Sequence, residues 1–405
     1  MLKRYFLNNK KRNFSTASIW IKGGSDMDST GKKGINKILC SLLTRGCEGF
    51  NNFTLSEYIE SYGAELNQEI FEDGISISIK SLNEHFSKLF PLLDLIINKP
   101  ILSETEFKKV KKSSIDHIKK DKENPFNICF EKWRKIVYSN HPYAFNTIGN
   151  ANDVSKITYE DVLLEFKNLK NREKYLISNN PEINGENFGT LEKKILKEKS
   201  DPLNHNLNTT NRFDYINNDS NQTIIMMGDQ TCSRRSSEYF HLKVLESYLS
   251  YGMSAALFKL FREKHGITYD LGVYYPIRSG NAPFLIYLSV SNEQALFAFE
   301  LLSTLWKNLL FNPLTDAEIF LAKEKLKGSF LLGNQSLDEI LQRKIQLVSY
   351  GISPISENDL NSKIEEISSL DILKLTNKYF SKPFLSISGN KNICLEISNR
   401  WKKNF

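Results

Sequence analysis

Sulfur and histidine are scarce in this 405-residue chain, which has five cysteines, five methionines and six histidines. Cys40, Cys47, Cys129, Cys232 and Cys394 are odd in number and contain no CxxC pair. Neither a disulfide framework nor a thiolate zinc site is suggested, and a reducing, cytoplasmic setting is expected. Long apolar runs are missing too. No stretch approaches the roughly 18 uninterrupted apolar residues that cross a bilayer, and the N-terminus has no apolar signal core, so no membrane span is expected. A dominant charge is also lacking. The 54 basic and 47 acidic residues leave a formal +7, a mild attraction toward acidic surfaces that gives no reason to expect nucleic acid as a partner. Neither GxGxxG nor GxxxxGK[ST] occurs, which leaves nucleotide binding unsupported. His85, His205 and His241 are isolated, and His141 precedes Pro142 in a turn, so none assembles a triad with a serine or cysteine.

What the chain does have is core-forming material, 40% hydrophobic and 12% aromatic, enough for two or three folded domains. It also has an internal repeat with a period of about half its length. In the first copy a strand over 18–22 runs into Gly23-Gly24. An apolar-periodic helix over 34–44, a second helix over 55–62 and a stop at Gly63 follow. Strands at 65–71 and 75–82 turn at Asp73-Gly74, with Ile75, Ile77 and Ile79 on one face. Asn83-Glu84 opens a long helix ending near Lys99-Pro100, and another is capped at 103–106.

The second copy keeps this order. A strand over 223–227 precedes helices over 237–250 and 253–264, a stop at Gly266, and strands over 269–275 and 284–290. Asn292-Glu293 then opens its long helix. An Asn-, Asp- and Ser-rich stretch between the copies reads as a linker. The expected organisation is a domain over 1–197, a polar linker over 198–222 and a homologous domain over 223–405. The fold class is α+β, each domain an antiparallel-rich mixed sheet with helices packed on one face. Residues 1–18 lack acids and carry Ser15, Thr16 and Ser18, as a transit peptide would. The same stretch reads as a strand at 5–7, a polar turn at 8–13 and a strand from 14, and this hairpin reading is preferred.

Several segments carry a resemblance. The run 252–269, GMSAALFKLFREKHGITY, is similar to the signature GMSSRLFxxxREKxGLxY of the insulinase/pitrilysin/mitochondrial-processing-peptidase family of zinc peptidases. Gly23-Gly24-Ser25, Gly34-Ile35, His141-Pro142-Tyr143 with Gly149, and ITYEDV at 157–162 resemble further family segments in order and spacing. Active members carry an inverted zinc motif, HxxEH, in which two histidines at i and i+4 face the metal and the glutamate polarises its water. Aligned through Gly34-Ile35, this chain has Lys37 and Ser41 at the histidine positions and Cys40 at the glutamate position. His117 stands where the third ligand, a glutamate on a later helix, would be. An ammonium offers only donors and a serine hydroxyl is a weak ligand, so no metal is expected here.

The resemblance further implies a division of labour. In two-chain members one subunit holds zinc, while the other supplies an Arg and a Tyr that hold the peptide backbone. Those positions are Arg262 and Tyr269. A guanidinium and a phenol both donate strongly to peptide carbonyls whatever the side chains. The chain is therefore expected to lack catalysis of its own, needing no cofactor while an HxxEH-bearing homologous subunit carries the zinc. The alternative is a scaffold of the same fold with no part in proteolysis. Glu263, Lys264 and His265 read as the charge network of the turn.

Overall fold

A computed structural model of the chain describes residues 2–7, 13–180, 183, 186–187, 211–268, 270–333, 336–352 and 360–405. The fold is α+β, built from two compact units that each wrap helices around one mixed sheet.

In the first unit the sheet order is Glu65–Ile70, Gly74–Leu82, Phe14–Lys22, Lys174–Ser178, Leu2–Phe6, Glu186–Asn187. The first four strands pair antiparallel, and Leu2–Phe6 runs parallel to both of its neighbours. The alternation Ile75, Ile77, Ile79 buries one face against Ile38, Leu39 and Leu42 of the helix Ile35–Leu43, as period-2 patterning requires. The second sheet repeats the order as Asp270–Tyr274, Pro283–Ser291, Gln222–Gln230, Phe384–Gly389, Phe213–Asn217. Ile225, Met227, Ile286 and Leu288 supply its helix-covered face.

Neither unit is continuous in sequence. The first comprises Met1–Lys120, Phe145–Lys199 and Gly333–Glu357, and the second Asp121–Ala144, Ser200–Leu332 and Asn358–Phe405. The cause is a reciprocal exchange of helices. Leu337–Ser349, from the second half of the chain, lays Leu337, Leu341, Ile345 and Val348 on Trp20, Tyr175 and Ile177, the far face of the first sheet. Its Asp338 accepts from Thr16 Oγ1 at 2.7 Å and Lys80 Nζ at 3.0 Å. Pro125–Tyr138, from the first half, lies on the second sheet, where the Cys129 carbonyl accepts from Ser386 Oγ at 3.0 Å. Each sheet thus carries one helix on the face opposite its main helical layer. The boundaries 1–197 and 223–405 describe the sequence repeat, and the exchanged segments 121–144 and 333–357 depart from it.

Three local expectations are corrected. Leu2–Phe6 does not form a hairpin with Phe14–Lys22, because Lys174–Ser178 inserts between them. That strand buries Tyr175, Leu176, Ile177 and Ser178 and so takes a partner on each edge. The linker expected over 198–222 ends in a strand: Phe213–Asn217 pairs parallel with Phe384–Gly389, and Phe213 stacks on Trp401 at 6.2 Å. Its Asn- and Asp-rich flanks mask the short apolar alternation. The long helix over 83–99 is divided into Asn83–Leu89 and Pro91–Asn98, since Pro91 has no N–H to donate. Its counterpart Ala295–Phe311 contains no proline and is unbroken. Among the described residues no helix is long and apolar enough to cross a membrane, and all five cysteines are free and buried.

Candidate functional site

The helix Ile35–Leu43 begins where backbone geometry leaves little choice. Gly34 has φ 101°, and a Cβ there would stand 2.7 Å from the Ile148 carbonyl oxygen and 2.9 Å from Val154 Cγ2, so only glycine fits. The buried Asp28 carboxylate caps the helix, accepting from the backbone N–H of Gly34 at 2.7 Å and of Asn36 at 3.1 Å, and from Asn36 Nδ2 at 2.8 Å. Burial outweighs those bonds and pushes the Asp28 carboxyl up to about 6. Arg172 Nη1 donates to Asn36 Oδ1 at 3.1 Å. With the first turn pinned, the faces of the helix are set.

Lys37 and Ser41, at i and i+4, point into a cleft of about 300 Å³. Its opposite wall is the helix Glu104–Asp121, which contributes Val110, Ser113, Ser114 and His117, with Ile148 closing one side. Arg45, just beyond the first helix, also lines the cleft and links the two walls by donating to Glu106 at 2.9 Å. Glu106 accepts from Lys109 as well, at 2.7 Å. These two cations hold its carboxyl below the usual range.

Three of the four positions named from sequence, Lys37, Ser41 and His117, are therefore brought together, and Cys40 is not. Cys40 is fully buried in the core of the first unit, and burial pushes its thiol up to about 12 in spite of nearby Lys37. It is a neutral apolar packing group, not a thiolate. The residues present do not fit zinc. The cleft offers one imidazole, with no carboxylate or thiolate among its lining residues, and an ammonium beside it that repels a dication. Among the described residues no group of three or more His, Cys, Asp or Glu is placed to hold a metal ion. Arg45, Ser113 and Ser114 were not singled out from sequence. The signal was nonetheless there, in Arg45 continuing the 37/41 ladder by four and Ser113 and Ser114 preceding His117 by four and three.

In the second unit Arg262 sits on Phe258–Lys264, a stretch wound more widely than an α-helix, in a π-helical turn. A regular helix over 253–264 was expected there, and wide turns of this kind recur at functional sites. The Arg262 guanidinium lies over the Phe258 ring at 4.8 Å, and the residue is exposed. Gly266, at φ 61°, ends the turn, with its N–H reaching the Arg262 carbonyl at 3.1 Å and that of Ile267 reaching Phe261 at 2.9 Å. Glu263 and Lys264 are exposed, and His265 packs edge-on against Phe297 at 5.1 Å. Tyr269 lies outside the described residues.

A twice-repeated α+β unit, each copy built on a mixed sheet covered by helices, is the architecture that known peptidase-family proteins share with this chain. The chain belongs to the insulinase (M16) peptidase family. A family model described as "Insulinase (Peptidase family M16)" matches residues 4–151, and one described as "Peptidase M16 inactive domain" matches 182–326. The chain is similar to an uncharacterized zinc protease of Rickettsia felis, 23% identical over 370 residues that cover 89% of this chain and 88% of the relative. It is also similar to the uncharacterized zinc protease YmxG of Bacillus subtilis, 22% identical, covering 96% and 99%. Among solved structures, a peptidase M16 inactive domain from Pseudomonas fluorescens superposes with a TM-score of 0.83 at 18% identity, covering 96% of this chain and 95% of that one. A protease from Helicobacter pylori does so with a TM-score of 0.83 at 17% identity, covering 95% and 96%.

Proposed function

We propose that this chain is the non-catalytic, substrate-binding subunit of a heterodimeric zinc metallopeptidase that cleaves peptides or unfolded segments, its zinc held by an HxxEH-bearing homologous partner. The observation that carries this reading is the cleft itself. Where a peptidase of this family needs two imidazoles and carboxylates, the lining groups are Lys37, Ser41 and His117, and Cys40 is turned into the core as a neutral thiol. Membership of a peptidase family and relatives named as zinc proteases support a role in proteolysis. In this reading Arg262 and Tyr269 donate to the carbonyls of an extended peptide and hold its scissile bond in register for the partner's metal, a contribution of positioning and not of bond chemistry.

The test is capture of the tagged chain's partner from native lysate, followed by reconstitution. A co-purifying chain of similar size with an intact HxxEH and peptide turnover only in the mixture are the expected results. Arg262→Ala then lowers kcat/KM roughly ten- to a hundredfold, the worth of a charged hydrogen bond. Unchanged turnover in that variant would instead identify the chain as a scaffold. Stoichiometric zinc and peptidase activity in the purified lone chain would overturn both readings.

A further inference from the structure

The cleft that does not fit a cation fits the opposite charge. We infer that the cleft lined by Lys37, Ser41, Arg45, Ser113, Ser114 and His117 is a binding site for a tetrahedral oxyanion, a phosphate group either free or carried on a ligand. The inference stands on the first unit alone and goes beyond any role in proteolysis. Every polar group lining the cleft is able to donate a hydrogen bond: an ammonium, a guanidinium, an imidazole and three hydroxyls, with no carboxylate among them. Lys37 is half-buried, and no acidic side chain stands within ion-pair distance of it among the described residues. Arg45 gives part of its fork to Glu106, but that carboxylate is already shared with Lys109 at 2.7 Å, and a guanidinium carries five N–H donors. The site thus keeps a net positive charge: Glu106, on the wall helix, is shared between Arg45 and Lys109, and no acidic partner is placed on Lys37 among the described residues.

Donor number and arrangement favour phosphate over a planar carboxylate. The donors come from two facing walls, Lys37 and Ser41 on one helix with Arg45 just past its end, and Ser113, Ser114 and His117 on the other. A carboxylate's acceptor sites lie in one plane, whereas three phosphate oxygens spread toward both walls and take more charge-assisted bonds. A volume of about 300 Å³ is at the lower end of ordinary ligand sites and has room for more than a bare ion. Val110 and Ile148 supply an apolar flank for whatever carries the phosphate.

The experiment titrates the full chain separately with inorganic phosphate, O-phosphoserine and, as the planar control, acetate, all at matched ionic strength. Melting temperature and calorimetric heat are the readouts. Phosphate or phosphoserine is expected to raise the melting temperature saturably at one site per chain, and acetate to do neither. Phosphoserine binding more tightly than the free ion would assign a phosphorylated ligand, and equal affinity the ion itself. Lys37→Gln should weaken the affinity roughly ten- to a hundredfold with the ligand-free melting temperature unchanged. His117→Gln, at an exposed position, supplies a second variant should the first fold poorly, and a loss of affinity is expected there as well. No saturable effect of phosphate or phosphoserine, an equal effect of acetate, or unchanged affinity in both variants would overturn the inference.

Discussion

The two units repeat one strand order, each in its own sheet, and differ where the chain leaves it. Both centre on a nine-residue strand, Phe14–Lys22 or Gln222–Gln230, flanked by the same neighbours in the same order and backed by one helix from the other half of the chain. Both open a late helix with a capping box, Thr158 with Asp161 and Ser368 with Asp371. Past the central strand they part. The first unit builds an acidic turn from Asp26 and Asp28 beside Asp73, then a helix whose outer face is Lys37 and Ser41. The second has Arg234 over the rings of Tyr239 and Phe240, a part-buried Lys243–Glu246 pair, and the wide turn that carries Arg262. The strand cores must satisfy period-2 packing in both copies, so they stay alike. The segments beyond the strand ends carry no such constraint, and the chemistry of the two units diverges there.

The most damaging way to break this comparison is to remove a backing helix's anchor. Leu341 and Trp133 are both fully buried, Leu341 in the cluster on the far face of the first sheet and Trp133 one turn beyond Cys129 on the helix over the second. Leu341→Ala should cost about 2–5 kcal/mol and Trp133→Ala about 3–5 kcal/mol. Amide exchange gives the crosswise signature. Leu341→Ala loosens Phe14–Lys22 and Lys174–Ser178, whereas Trp133→Ala loosens Gln222–Gln230 and Phe384–Gly389. The opposite assignment would contradict the exchange of helices.

A smaller and pH-dependent effect sharpens the difference at the acidic turn. Burial, and next the charge of Asp73, push the Asp26 carboxyl up to about 7 from an ordinary 3.8, against a lowering pull from Arg172. A group whose pKa is raised by folding binds its proton more tightly in the native state. The stability it lends is full below the unfolded pKa and is lost as pH rises through about 7. The melting temperature should therefore fall between pH 5 and pH 8, and Asp26→Asn should flatten that slope while still accepting from the Gly24 N–H, now at 2.8 Å. A slope unchanged by this variant would place the pH dependence elsewhere.

The smallest effects should be equal ones. Thr158→Ala and Ser368→Ala each remove a cap of matching geometry, with Thr158 Oγ1 and Ser368 Oγ each accepting from an aspartate N–H at 3.2 Å. Each should cost about 1 kcal/mol by chemical denaturation. Costs differing by more than about 1 kcal/mol would show that the repeat does not extend to the energetics of its caps.

Local pattern was enough for much of this. The repeat, the strands Glu65–Ile70 and Gly74–Leu82 around Asp73-Gly74, the helix from Ile35, the α+β class and the family were all legible, because strand alternation, helix periodicity, caps and a long signature are written in neighbouring residues. That Lys37, Cys40 and Ser41 are not the residues of an HxxEH motif is likewise a matter of residue type alone. What the linear order did not carry was partnership at long range. An amphipathic helix such as Pro125–Tyr138 or Leu337–Ser349 announces an apolar face but not which sheet will cover it, and the exchange between halves follows from packing. The insertion of Lys174–Ser178 between Phe14–Lys22 and Leu2–Phe6 likewise depends on a strand more than 150 residues away. The gathering of Arg45, Ser113 and Ser114 around Lys37, Ser41 and His117 was settled in the same way, since two helices distant in sequence become one cleft only when a shared core, from Ile38 and Leu39 to Phe107 and Val110, sets them side by side.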